Sequence, residues 1–222
     1  MADMMRNLPA LRLVAIAAAA GIVAGVTSLY VMGGPDGNTG ETAQAGACAA
    51  NAEKVAALEP AIGGEVAAML PADPPQSMSD LAFNGPDGEA MTVADLSGKT
   101  LLVNLWATWC TPCREEMPAL DALQRENGSD KFEVVAVNVD RGSDEKPKAF
   151  LEEIGVDSLA YYRDNSMDVF NTLKTRGLAL GLPVTLLVGE DGCLLAHMNG
   201  PADWASVDAV TLVQAAMGEG GG

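Results

Sequence analysis

The sequence predicts an α/β domain in which a central sheet of mixed strand direction is flanked by helices. An apolar run beginning at Thr100 leads directly into a Cys-x-x-Cys pair, after which apolar residues recur at helical spacing. A second apolar run over residues 132–139 precedes another helical segment, which gives a strand-helix-strand unit. Near the C-terminus, two further strands flank a turn at residues 190–192 and predict an antiparallel hairpin.

An apolar segment near the start of the chain is long enough to cross a membrane. Residues 11–32 contain one charged residue, Arg12, and would measure about 33 Å as a helix. Because positive charges tend to stay in the cytoplasm, Arg6 and Arg12 predict a cytoplasmic N-terminus over residues 1–10. We therefore expect residues 11–32 to anchor the chain in the inner membrane and the rest to lie in the periplasm. The alternative is a cleaved signal peptide, although small residues typical of a cleavage site come only at 43–45.

A tether and a short extension separate this anchor from the core. Residues 33–47 are rich in Gly, Asn, Thr and Ala without periodicity, which indicates a flexible tether. Apolar residues at helical spacing over 48–70 are interrupted near Pro60 and Gly63, so we predict two short helices within an extension of residues 48–79. The prolines of residues 71–75 predict an extended connection into the core.

The core is predicted over residues 80–217. Residues 81–83 and 91–93 flank a Gly- and Pro-containing turn and predict a hairpin before the central strand. After the dithiol, a helix is predicted to extend to about residue 127. The pattern then predicts strand 132–139, helix 143–154 capped by Ser143, strand 158–162, helix 167–174, strands 184–188 and 193–198, and helix 204–217. The Gly-rich residues 218–222 predict a disordered tail.

Cys110 and Cys113 lie where the strand gives way to the helix. Unpaired N–H groups and the positive dipole end at a helix N-terminus favour a thiolate over a thiol. Cys110 caps the helix and is the predicted nucleophile, whereas Cys113, one turn inward and more covered, is predicted to resolve the mixed disulfide. A Cys-x-x-Cys pair can instead be half of a zinc site. The other candidate ligands, Cys48, Cys193 and His197, are all distant in sequence, so we expect no metal.

The residues around this dithiol resemble the thioredoxin superfamily. The match comprises Trp-Cys-x-Pro-Cys at residues 109–113, Pro118 within the following helix, and the segment Gly-Leu-Pro-Val-Thr at residues 181–185. The resemblance covers about residues 80–217 and implies a thioredoxin fold with thiol:disulfide oxidoreductase activity and no cofactor. Residues 104–116 are similar to the membrane-anchored TlpA/ResA/CcmG branch, and most of all to its TlpA-type members. In that branch, the substrates belong to cytochrome biogenesis.

The same resemblance implies a substrate-binding surface beside the dithiol. It implies a cis peptide bond before Pro183, with Pro183 adjacent to Cys110. Trp109, Leu182 and Pro183 are then the expected substrate-binding residues. An extended substrate segment would pair with the main chain of Leu182 in the manner of an added strand.

The resemblance also implies a proton-transfer residue. Cytosolic thioredoxins usually carry a buried aspartate where this chain has Asn104, so their usual proton acceptor is missing. Glu116, three residues after Cys113, matches an acidic position near the dithiol in this branch and is the expected substitute. The alternative is a solvated glutamate in the first turn of the helix.

Cys48 and Cys193 bring the number of cysteines to an even count. Because unpaired thiols seldom persist in an oxidising compartment, we predict a structural disulfide between these two residues. The alternative is a pair of buried free thiols. His197, the only histidine, is predicted to be a strand residue without a functional role.

The charge of the chain is strongly acidic. Thirteen Lys and Arg against thirty Asp and Glu give a formal net charge of −17, spread through the domain. Nucleic acid is therefore not an expected partner, because its own backbone is anionic. The charge serves solubility, or it steers the protein toward partners with a basic or metal-loaded face.

Two functions of different classes follow. The first is an oxidoreductase, acting as a monomer, that keeps exported proteins reduced with electrons from a membrane donor. Its expected partners are a copper chaperone, an oxidase subunit or an apocytochrome c, and the TlpA resemblance favours copper-site assembly of cytochrome oxidase over haem attachment. The second is a copper(I) chaperone in which Cys110, Cys113 and His197 bind the metal.

Overall fold

One sheet forms the centre of the fold in the computed structural model, which describes residues 48–219. Its strands in this part of the chain are β1 (Leu70–Pro71), β2 (Ala82–Asn84), β3 (Ala90–Thr92), β4 (Thr100–Trp106), β5 (Phe132–Asn138), β6 (Tyr162–Arg163), β7 (Val184–Val188) and β8 (Leu194–Asn199). Across the sheet their order is β1-β8-β7-β4-β5-β6-β2-β3.

Strand direction in the sheet is mixed, as predicted. β4 and β5 are parallel, as are β5 and β6, whereas β4 and β7 are antiparallel. Every residue of β4 and of β7 is buried, which explains why both strands are mostly apolar in sequence, with Asn104 and Thr185 as buried polar exceptions. The hairpin predicted before the central strand is confirmed as β2 and β3.

Helices pack against this sheet around one hydrophobic core. The α-helices are α1 (Ala52–Leu58), α2 (Thr111–Asn127), α3 (Glu145–Glu153), α4 (Asp168–Thr175) and α5 (Val207–Ala216). α2 continues through Pro118 without interruption. Val55, Leu58 and Val66 of the extension belong to the same core cluster as the apolar residues of the sheet, so the extension is an integral part of the domain.

The extension differs from the two predicted helices. Helical turns run from Ala49 to Ala61, but only one 3-10 turn, Gly64–Val66, follows the break. Leu70, predicted to lie on the buried face of a helix, instead starts β1 opposite His197 of β8. Its side chain is 55% exposed. Strand pairing at the sheet edge has replaced the last predicted helical turn.

The helix predicted over residues 143–154 is shorter, and its predicted cap at Ser143 is wrong. α3 begins at Glu145 with Asp144 at the N-cap position. The chain reaches Asp144 through Gly142, whose φ of 92° is accessible to glycine and rotates the chain before the helix starts. The carboxylate of Asp144 pairs with Lys148 four residues later, a contact that adds a small stabilisation to the start of the helix.

The strand predicted over residues 158–162 is also shifted and begins as β6 at Tyr162. Asp121 of α2 is buried, and its Oδ1 accepts hydrogen bonds from the backbone N–H groups of Asp157, Ser158 and Leu159 at 2.7 to 3.2 Å. These three amides are held by a carboxylate and cannot pair with a neighbouring strand. Pairing with β5 therefore starts only at Tyr162.

The C-terminal helix predicted over residues 204–217 begins later and ends in an ordered cap. α5 starts at Val207, because the Ser206 side chain caps it by accepting from the Ala209 N–H at 3.2 Å. At its end, Gly218 has a φ of 77° and donates to Ala215 O, while Glu219 donates to Gln214 O. Residues 218 and 219 are thus hydrogen-bonded, contrary to the disordered tail predicted to begin at 218.

Several predicted segments lie outside the described residues. These are the cytoplasmic N-terminus at 1–10, the anchor at 11–32, the tether at 33–47 and the last three residues of the tail. Over residues 48–219, no helix combines the length and the apolar character that crossing a membrane requires.

Candidate active site

Cys110 occupies the N-cap of α2, after the turn that leaves β4. Its Sγ accepts a hydrogen bond from the backbone N–H of Cys113 at 3.3 Å. The two cysteines are joined by a disulfide, with their Cα atoms 5.3 Å apart. The N–H that faces Sγ in this oxidised form is placed to stabilise a thiolate on Cys110 after reduction.

The two sulfurs differ in their access to a partner. Cys110 is 6% exposed and Cys113 is fully buried. Trp109, immediately before the dithiol, is 58% exposed. This difference supports an order of attack in which a partner reaches Cys110 first and Cys113 acts from inside.

A buried aspartate fixes the turn before the dithiol. Asp140 follows β5 and accepts hydrogen bonds from the backbone N–H and the hydroxyl of Thr108 at 2.8 and 2.9 Å. The Asn138 side chain donates to the same carboxylate at 2.8 Å. Because Thr108 lies two residues before Cys110, these bonds hold the dithiol turn against the end of β5.

The proline-containing strand lies beside β4. The Leu182–Pro183 peptide bond is cis, and β7 begins at the next residue, Val184. In the antiparallel register, Val184 lies opposite Leu105 near the end of β4, so Pro183 sits at the end of the sheet from which the dithiol turn departs. Pro183 is buried and Leu182 is partly buried.

The loop before Pro183 presents an exposed leucine that the sequence analysis did not single out. Leu180 is 84% exposed. Asn199 of β8 accepts from the Leu180 N–H at 2.7 Å and donates to the Leu178 carbonyl at 3.0 Å. These bonds hold the loop that carries Leu180 and Leu182 toward solvent.

Glu116 is buried, not a solvated residue of the first helical turn. It is 3% exposed. Its Oε1 accepts from the Asn104 side chain at 2.9 Å, and its Oε2 accepts from Trp204 Nε1 at 3.0 Å and from the Ala202 N–H at 3.2 Å. It follows Cys113 by three residues on α2, so both side chains project from the same side of the helix.

The pKa of Glu116 is raised toward neutral pH. Burial raises its pKa from 4.5 to about 7, although hydrogen bonds from Asn104, Trp204 and Ala202 favour the charged form and lower it in part. A carboxyl group with such a pKa exchanges its proton readily near neutral pH, as a general acid or base requires.

Replacing Glu116 by Gln should remove a pH dependence of stability. Since the folded-state pKa of about 7 lies above the ordinary 4.5, this group stabilises the fold fully below pH 4.5 and progressively less as the pH rises to 7. At about 1.4 kcal/mol per pH unit, the loss amounts to about 3 kcal/mol. Urea unfolding of the oxidised protein on both sides of this range measures it. Glu115→Gln, at the exposed neighbouring residue, should keep the wild-type profile, and parallel profiles for wild type and Glu116→Gln would contradict the assignment.

Cys48 and Cys193 are joined by a second disulfide. Their Cα atoms are 5.6 Å apart, and the residues are separated by 145 positions in sequence. Both are buried, and Cys193 also bridges Ser77 across the sheet edge. The bond attaches the first helical turns of the extension to the end of the β7–β8 hairpin.

His197 does not join the dithiol. It lies on β8, opposite Leu186 of β7 and Leu70 of β1. Burial lowers its pKa. Within residues 48–219, no three His, Cys, Asp or Glu side chains are grouped as a metal site would require. The ligand set of the copper(I) chaperone hypothesis is therefore not brought together.

Trp204, Asp140 and Thr185 also belong to the site, although the sequence analysis assigned them no role. The position of Asp140 in the sequence indicates a site residue, because it is the first acidic residue after an apolar strand that runs beside β4. No sequence pattern indicates Trp204, because its hydrogen bond to Glu116 joins residues that are 88 positions apart.

A Cys110–Cys113 disulfide at a helix N-terminus, at the same end of a mixed sheet as a cis-proline, is the arrangement of a thioredoxin-like thiol-disulfide oxidoreductase, the class that fold and site together define. The family model described as Redoxin matches residues 68–212, more than half of the chain. The protein therefore belongs to the Redoxin family.

Individual relatives agree with this class. The thiol:disulfide interchange protein CycY of Rhizobium leguminosarum bv. viciae is 33% identical over 134 residues, which cover 56% of this chain and 68% of CycY. The thioredoxin-like protein YneN of Bacillus subtilis is 43% identical over 79 residues, but these cover only 35% of this chain and 46% of YneN. A thiol:disulfide interchange protein of Chlorobium tepidum shares the fold with a TM-score of 0.53 at 24% identity, covering 64% of this chain and 97% of that structure.

Other curated relatives are named ResA and HelX. Together with CycY, these names support the ResA/CcmG-type branch of the resemblance. They do not distinguish TlpA-type members within it.

Proposed function

We propose that this protein is a membrane-anchored periplasmic oxidoreductase that reduces disulfides of exported proteins during cytochrome biogenesis. One observation carries the proposal most directly. Cys110 lies at a helix N-terminus with 6% of its surface exposed, and it is bonded to the fully buried Cys113. The resemblance to the TlpA/ResA/CcmG branch supports the process, and the apolar residues 11–32 support the anchor.

The reaction takes two steps of thiol–disulfide exchange. The thiolate of Cys110 attacks one sulfur of the partner's disulfide, which breaks that bond, forms a mixed disulfide and releases the partner's other sulfur as a thiolate. The sulfur of Cys113 then attacks Cys110, forms the intramolecular disulfide and releases the second thiolate. Two electrons pass to the partner, and a membrane donor restores the dithiol of this protein.

Glu116 is the proposed proton acceptor of the second step. Cys113 is a thiol before it attacks, and a fully buried sulfur cannot release its proton to bulk water. Glu116 is one helical turn away, and its pKa of about 7 allows it to take this proton and later return it. Its position in the core supports a role inside the protein and not at the partner interface.

The substrate approaches along the end of the sheet that holds Pro183. Trp109, Leu182 and Pro183 are the proposed contacts, and Leu180 adds a fourth apolar contact. The main chain of Leu182 pairs with an extended segment of the partner. Candidate partners are a copper chaperone, an oxidase subunit or an apocytochrome c, and a basic face on any of them would suit the net charge of −17.

We expect a reduction potential near that of thioredoxin, about −270 mV, and not near that of DsbA, about −120 mV. The Cys113 N–H favours a thiolate on Cys110, but we expect the buried carboxyl of Glu116 and the acidic charge of the chain to oppose it more strongly, which stabilises the disulfide and makes the dithiol a stronger reductant. Equilibration of the full chain with glutathione buffers, followed by alkylation and mass spectrometry, measures the potential. The Cys48–Cys193 pair serves as the internal control, because it should stay oxidised throughout. A potential close to that of DsbA would reverse the proposed direction.

A further inference from the structure

The side chain of Asn104 lies in the centre of the sheet with one polar atom unpaired. Asn104 is on β4 and fully buried. Its Nδ2 donates to Glu116 Oε1 at 2.9 Å and to Thr185 Oγ1 at 3.0 Å. Its Oδ1 is buried and has no hydrogen-bond partner among the described residues. Because an unpaired buried oxygen is costly, this orientation of the amide depends on what its nitrogen binds.

The second oxygen of Glu116 is committed to fixed donors. Oε2 accepts from Trp204 Nε1 and from the Ala202 N–H. An indole N–H and a backbone N–H can donate but cannot accept. A proton on the carboxyl group is therefore carried by Oε1, the atom that faces Asn104.

Both partners of Asn104 can become donors when Oε1 carries this proton. A carboxylate only accepts hydrogen bonds, a neutral carboxyl group donates one, and the hydroxyl of Thr185 can do either. Rotation of the amide by about 180° exchanges Oδ1 with Nδ2, so that Oδ1 accepts from both neighbours. The charge-assisted bond to a carboxylate favours the orientation seen here, and the O–H donor of a neutral Glu116 favours the rotated one.

We infer that Asn104 is a positioning residue whose amide rotates each time Glu116 gains or loses a proton, with Thr185 as its second partner. The inference rests on the proposed function, in which Glu116 takes the proton of the Cys113 thiol as that sulfur attacks Cys110. The rotation keeps the carboxyl group hydrogen-bonded before and after the transfer. A single neutral side chain thus supports both forms of the acid.

Few titratable groups face Glu116. On its own helix, the thiol of Cys113 in the reduced protein is one turn away. The side chains and backbone groups that reach it from β4 and from the segment before α5 are not ionisable, and they belong to Asn104, Ala202 and Trp204. No charged side chain among the described residues contributes to its raised pKa, which burial causes.

NMR spectroscopy of the full chain in detergent micelles, with labelled asparagine and glutamate, detects the rotation. We expect cross-peaks between the Asn104 amide protons and the Thr185 side chain at about pH 9, and their loss at about pH 5. The chemical shift of the Glu116 carboxyl carbon should titrate with a midpoint near the pKa of Glu116, and the cross-peaks should disappear over the same pH range. In Glu116→Gln, the Asn104 amide should not change with pH. Cross-peaks that persist while Glu116 titrates would overturn the inference but leave its proton role intact. A Glu116 that does not titrate in this range would overturn both.

A second measurement compares two donors to the same carboxyl group. Loss of a fixed donor to a carboxylate should raise its midpoint by about one to two pH units, and this is the result expected for Trp204→Phe. Asn104→Leu should raise the titration midpoint of Glu116 by less than Trp204→Phe does, because a rotating amide donates to the carboxylate but also accepts from the neutral carboxyl group. An Asn104→Leu midpoint that rises as far as that of Trp204→Phe would show a fixed donor and reject the rotation.

Discussion

Cys110→Ser is expected to lower the reduction of insulin disulfides to the uncatalysed rate. Cys110, at the N-cap of α2, is 6% exposed and Cys113 is fully buried, so Cys110 is the only one of the two sulfurs that a partner can reach. A turbidity assay with the full chain and a chemical reductant measures this loss. Cys113→Ser should instead accumulate a mixed disulfide with the partner, because the first step proceeds and the resolving thiol is missing.

Mass spectrometry of alkylated adducts separates the two variants. Only Cys113→Ser should form a stable adduct with a disulfide-containing peptide. The variant Cys48→Ala/Cys193→Ala serves as the control and should turn over insulin at the wild-type rate. Equal trapping by Cys110→Ser and Cys113→Ser, or residual turnover in Cys110→Ser, would contradict the assigned roles.

Cys48→Ala/Cys193→Ala should lower the free energy of unfolding by up to about 5 kcal/mol. The disulfide between these residues closes a loop across 145 positions, so its loss restores much conformational freedom to the unfolded chain. The double variant avoids a leftover thiol that could form disulfides between molecules. Urea unfolding monitored by circular dichroism measures the change, and an unaltered unfolding midpoint would show that the bond adds no stability.

The central strands could be predicted from the sequence because strands buried on both faces consist mostly of apolar residues. For this reason, β4 begins at the predicted residue Thr100, and β7 matches the strand predicted over residues 184–188. The predicted helix and strand boundaries are less accurate where a side chain forms hydrogen bonds with backbone groups that are distant in sequence. Asp121 binds the amides of residues 157–159, so β6 begins only at Tyr162. No local sequence pattern indicates this contact.

The candidate site was predictable only in part. The spacing of Cys110 and Cys113 predicts a redox-active dithiol, and the family resemblance implies a role for Glu116. Whether Glu116 was buried could not be read from its own helix, because its burial depends on Trp204 and Asn104, which come from other parts of the chain. In the sequence, Asn104 stands where cytosolic thioredoxins carry a buried aspartate. In the fold, its side chain donates a hydrogen bond to Glu116, the buried acid of this chain.

The Cys48–Cys193 bond lies at the opposite end of the sheet from the dithiol. Cys193 follows the end of β7 that lies level with Leu101, whereas Cys110 follows the opposite end of β4. Seven residues of β4, about 20 Å of strand, separate the two ends. Cys48, the first residue that the structure describes, is therefore held at the end of the sheet away from Cys110.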